Sequence, residues 1–147
     1  MSDYKKHIDA WRASVKNTAW VGVDLDATLA EYTGWHGPDH IGKPIPKMVE
    51  RVKEILAAGM TVKIFTARMS EPDMDVRRRV IKAIREWTLE HIGVALDPTN
   101  VKTYDMIECY DDRIIQVIPN TGVPIEEEVE FLRGRVAELE AIVRGDY

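Results

Sequence analysis

The chain has 147 residues, 45% of them hydrophobic, which is one domain's worth of material and enough apolar content to bury a core without staples. Its 25 acidic and 20 basic side chains leave a formal net charge of −5, which excludes a general attraction to nucleic acid or to an anionic membrane surface. The lone cysteine, Cys109, excludes a disulfide framework and fits a cytoplasmic protein, the charged start MSDYKKHIDAWRASV does not read as a signal peptide, and no apolar run is long enough to span a membrane.

Tyr4, Ile8, Trp11 and Val15 recur at helical spacing and predict an amphipathic N-terminal helix over residues 3–16. The run VGVDLDATLAE then reads as a buried strand that ends in two carboxylates, Asp24 and Asp26. Carboxylates so close repel each other and lose water, so a divalent cation between them is one reading. A solvated Asp24 beside a helix-capping Asp26 is the other. The next stretch, EYTGWHGPDHIGKPIP, is too rich in Gly and Pro for regular structure. Trp35, His36 and His40 are odd choices for a solvated linker, and the loop is read as a substrate-facing flap. Gly37 and Pro38, between the histidines, argue against a helical metal-binding pair.

From Pro46 the pattern is helical, with Met48, Val49, Val52, Ile55 and Leu56 on one stripe and Gly59 as the stop. TVKIFTAR is a second strand with Thr66 at its end. Ser70 is placed to cap a helix running to about Ile92, in which Val76, Val80, Ile84 and Trp87 face the core and Arg77, Arg78 and Arg79 form an ion-paired, solvated face. Asp97 to Asn100 predict a turn, and Val101 and Lys102 open a short extended piece. MIECYDDR is a further strand ending in Asp111 and Asp112, followed by RIIQVIP as another. Alternating strands and helices predict an α/β fold, a Rossmann-like parallel sheet flanked by helices, in a single domain with its core at about residues 19–118. Ligands of such sheets gather at the carboxyl ends of the strands, where Asp24, Asp26, Thr66, Asp111 and Asp112 all fall.

DLDATL, IFTAR, Lys102 and YDDR, in this order, resemble the four motifs of the haloacid dehalogenase (HAD) superfamily of aspartate-nucleophile phosphatases, over about residues 19–117. The resemblance implies a HAD-like core with Asp24 as nucleophile, Asp26 as general acid and base, and Thr28 supporting the loop. It further implies Thr66 and Lys102 as phosphate ligands, and Mg²⁺ held by Asp24, the Asp26 carbonyl, and Asp111 or Asp112. Ala27 departs from the glycine that many relatives carry. The gaps between motifs have no room for a cap domain, which is similar to the capless branch. A nucleotide or other small phosphomonoester is the expected substrate. A nucleic-acid 3′-phosphate, or a catalytically silent binding or assembly protein on the same fold, are the alternatives.

Outside the resemblance, residues 124–144 carry Ile125, Val129, Leu132, Val136, Leu139 and Val143 at alternating spacings of four and three. This is a coiled-coil seam, and it predicts a homo-oligomer formed through the C-terminal helix. A single amphipathic helix lying on its own domain is the alternative.

Overall fold

The computed structural model describes residues 3–146. They divide into two compact units, one ending at Asp112 and one beginning at Arg113.

The first unit runs α1 (Asp3–Val15), β1 (Trp20–Val23), α2 (Pro46–Ala57), β2 (Thr61–Phe65), α3 (Met74–Ile92), β3 (Pro98–Thr99) and β4 (Met106–Tyr110). Its four strands form one all-parallel sheet in the order β3-β2-β1-β4. Trp20 to Val23 are all buried because β1 is paired on both sides, Val23 lying opposite Ile64 of β2 and Tyr110 of β4. In β2 the alternation of TVKIF puts Val62 and Ile64 inward, and α2 and α3 bury Val49, Val52, Val80 and Ile84 in the same core. Parallel neighbours require crossovers, and α2 and α3 supply them for β1 to β2 and β2 to β3. The chain then passes to the other side of β1 to lay down β4. The strand order therefore reverses between β1 and β4, the position at which open sheets of this kind form a crevice.

Three local readings of the sequence are corrected. The extended piece is Pro98–Thr99, ahead of Val101 and Lys102, which lie in irregular backbone. At the edge strand β3 the Asp97 and Thr99 carbonyls accept from Ile64 N–H at 3.0 Å and Thr66 N–H at 2.9 Å, and the register that sets Pro98 opposite Ile64 asks no N–H of Pro98, so its absence costs nothing. The cap of α3 is Asp73 and not Ser70. The Asp73 carboxylate accepts from the Asp75 and Val76 N–H groups, while Ser70 ends a 3-10 turn, Ala67–Ser70, and donates to the Ala67 carbonyl. RIIQVIP forms no strand. Ile114 and Ile115 are exposed, and the segment contributes one isolated bridge between Val117 and Pro124.

The second unit consists of this segment and α4 (Ile125–Arg144), which Gly145 ends in the left-handed conformation. None of the side chains of α4 is buried. No helix among the described residues is long and apolar enough to cross a membrane.

Candidate active site

The site begins where β1 ends. Asp24 N–H donates to the Tyr110 carbonyl at 2.8 Å, extending the β1–β4 ladder by one residue. The chain then turns sharply, with the Leu25 carbonyl accepting from Leu29 and Ala30 at 2.9 and 2.8 Å. Leu25 and Leu29 are fully buried, so the turn is anchored by its apolar residues and the intervening carboxylates are left at the rim. Ala27 sits in the turn at φ +66°, the left-handed region that glycine occupies without strain.

Asp24 meets Asp111 and Asp112, which follow β4. One carboxylate oxygen from each lies within 4.8 Å of the others, at the strand-order reversal. Burial raises the Asp24 carboxyl to about 7, reinforced by the charge of Asp111 and by the hydrogen bond and charge of Asp112, against one backbone N–H from Leu25 that favours the anion. Thr28 joins the two strand ends: its hydroxyl lies 3.3 Å from Asp24 Oδ2 and 3.4 Å from Asp112 Oδ1, and it accepts from Asp112 N–H at 3.1 Å. Three acidic oxygen donors that repel one another suit a hard divalent cation. Beside them opens a shallow depression of about 420 Å³, lined by Ala27, Thr28, Met48, Cys109, Tyr110, Asp111 and Asp112.

Asp26 takes a different position. Its carboxylate is outside this group and is held by Arg68, whose Nε and Nη2 donate to its two oxygens at 2.7 Å each. The Arg68 side chain is only 6% exposed, so this bidentate pair is largely shielded from water. The third nitrogen of the guanidinium, Nη1, donates to the His40 carbonyl at 2.9 Å, and the group lies 5.0 Å from the Trp35 ring centroid.

Thr66 is buried at the carboxyl end of β2, where its hydroxyl oxygen accepts from Arg68 N–H at 3.2 Å and caps the 3-10 turn. Lys102 is exposed, and its charge favours the Cys109 thiolate, opposing burial and the charges of Asp111 and Asp24, which together raise that thiol to about 11. The flap hangs from a short neck, Glu31 N–H to Lys43 carbonyl at 2.8 Å and Ile45 N–H to Leu29 carbonyl at 2.9 Å. Trp87 of α3 donates to the Gly42 carbonyl at 3.0 Å, and Asp39 pairs with Arg79. Within the flap the His36 and His40 rings stand 5.0 Å apart, and Trp35 is 57% exposed. Neither histidine joins a metal-ligating group among the described residues.

The sequence reading assigned Arg68 no role. Its position directly after the strand-end Thr66 is the one available signal, and its partner is 42 residues away along the chain. Comparison with protein-family models, with curated proteins and with solved structures finds no match.

Proposed function

We propose that the chain is a Mg²⁺-dependent phosphomonoester hydrolase of the HAD type, acting through an aspartyl-phosphate on Asp24. The reading rests on one observation: carboxylates from the ends of two neighbouring strands gather at the reversal of strand order, with a fourth, Asp26, on the adjoining turn. Asp24, Asp111 and Asp112, with the Asp26 carbonyl, are the oxygen donors that would hold the ion. When bound, Mg²⁺ offsets the repulsion between the Asp24 carboxylate and a phosphate dianion.

Asp24 attacks phosphorus through a carboxylate oxygen, and the bond to the leaving oxygen breaks as Asp26, entering the step as the acid with its proton on one oxygen and the other kept on Arg68, gives that oxygen the proton. Water then attacks the same phosphorus, Asp26 takes the water's proton, and the bond to Asp24 breaks to return the carboxylate and release inorganic phosphate. Thr66 and Lys102 hold the oxygens of the phosphoryl group. Thr28 fixes Asp24 relative to Asp112 and so sets the direction of attack. An open depression without room for a cap domain admits a small phosphomonoester such as a nucleotide, the leading reading, and a nucleic-acid 3′-phosphate, the competing one.

The test is phosphate release by the full chain with Mg²⁺ across nucleotides, sugar phosphates and 3′-phosphorylated oligonucleotides. Activity is expected to vanish in chelator and in Asp24→Asn, whose amide cannot attack. Full activity in either condition overturns the mechanism. A protein that hydrolyses nothing, and whose melting temperature ignores beryllium fluoride with Mg²⁺, is instead a binding or assembly protein on this fold.

The second unit supports self-association as part of the same reading. On α4, Leu132 is 51% exposed, Val136 54%, Leu139 52% and Val143 86%, an apolar seam at heptad spacing with charges on its flanks. A second copy of the helix is the partner that such a repeat fits.

A further inference from the structure

Three groups converge on one guanidinium. Arg68 donates to both oxygens of Asp26, to the backbone carbonyl of His40 in the flap, and carries the Trp35 ring over its face. The carboxylate belongs to the turn after β1, the arginine to the turn after β2, and the other two groups to the flap, so three separate segments are tied through one side chain. Arginine suits this task because its fork presents parallel N–H groups to a carboxylate while a further N–H and the flat face remain for other partners. Lysine has neither the fork nor the face.

We propose that Arg68 is a positioning residue that aims the Asp26 carboxylate and latches the flap to it, so that flap placement and proton delivery to the leaving oxygen are set by one contact. The proposal rests on the phosphatase reading for the role of Asp26, but the tether between flap and turn stands apart from it. Elsewhere the flap is held at its neck, by the Trp87–Gly42 hydrogen bond, by Ile41 packed against the core, and by the Asp39–Arg79 pair, which is exposed and contributes little. Release of Arg68 therefore loosens the exposed part of the flap ahead of Ile41 and lets the Asp26 carboxylate swing. A displacement on the order of 1 Å at a group delivering a proton costs about 100-fold in rate. In the transfer to Asp24, that loss falls on substrates whose leaving group needs the proton.

The experiment compares Arg68→Gln and Arg68→Lys with the wild type, with Mg²⁺, on an alkyl phosphate and on p-nitrophenyl phosphate, whose leaving group needs little protonation. In Arg68→Gln, kcat/KM for the alkyl ester, which reports the steps through transfer to Asp24, is expected to fall about 10- to 100-fold and that for the aryl ester less than about 3-fold, while hydrolysis of the shared aspartyl-phosphate slows equally for both. Arg68→Lys should recover only part of kcat/KM for the alkyl ester. Amide hydrogen exchange across residues 32–41 should quicken by about 10-fold or more in Arg68→Gln while β1 and β2 keep their protection. An equal loss of kcat/KM on both esters means that Arg68 acts on the phosphoryl group and overturns the proposal, as does no loss on either. If the wild type hydrolyses neither ester, the phosphatase reading fails, and unchanged exchange in residues 32–41 then overturns the tether as well. Should Arg68→Gln fail to fold, Arg68→Lys carries the same comparisons.

Discussion

Replacing Asp24 by asparagine should stabilise the metal-free protein at alkaline pH while abolishing turnover. The Asp24 carboxyl is raised from 3.8 to about 7, chiefly by burial and then by Asp111 and Asp112. A group whose folded-state value is raised contributes stability that is fully present below the unfolded value, 3.8, and is lost as pH climbs through about 7. The full rise would correspond to roughly 4 kcal/mol. Asp24 is only half-buried, and water at its open side screens the repulsion to about 1–2 kcal/mol. Asparagine does not titrate, keeps nearly the same shape and retains an oxygen for the Thr28 hydroxyl. In chelator the urea midpoint of Asp24→Asn should therefore exceed that of the wild type by about 0.5–1 M near pH 8 and match it near pH 4. Added Mg²⁺ should narrow the gap at pH 8 by stabilising the wild type more than the variant. A variant less stable than the wild type at both pH values would refute the reasoning, because the carboxylates would then not be working against the fold.

Ala27→Gly should raise the melting temperature by about 2–4 °C. It relieves roughly 1–2 kcal/mol of left-handed strain at φ +66° and returns about 0.4–1 kcal/mol as unfolded-state entropy, and a lower melting temperature would show that the turn is unstrained. Deleting residues 124–147 should reduce the mass measured by light scattering at micromolar concentration to that of one chain, and Leu132→Glu with Leu139→Glu should do the same with the helix present. Full-length protein that already scatters as a single 16.8 kDa chain would end the idea of a shared seam.

The elements that position the site were legible because each is specified locally. β1, β2 and β4 are apolar runs that end in polar residues, and α2 carries its core stripe at helical spacing with Gly59 past its end. RIIQVIP misled because β-branched residues favour extended backbone anywhere, while a strand also needs a partner and burial, and Ile114, Ile115 and Val117 are 54%, 60% and 46% exposed. β3 was placed late because its proline argues against strand, a bias that fails at a sheet edge where no N–H is required. Asp24, Asp111 and Asp112 could be grouped from sequence, since parallel topology carries every strand end to one rim. The pairing of Asp26 with Arg68 could not, because no spacing rule links side chains on turns that only the fold brings together.

The pairing of β1 on both edges has a further consequence for how the molecule fails. A fully buried central strand opens only when the whole domain opens, so the backbone amides of Val21 and Val23, and that of Asp24 bonded to Tyr110, should be among the last to exchange. The flap is mostly exposed and opens by cheaper, local routes. On gentle heating Asp24 therefore keeps its place while the flap loosens first. On the proposed phosphatase reading, affinity for substrate should then be lost, reversibly on cooling, before the fold is.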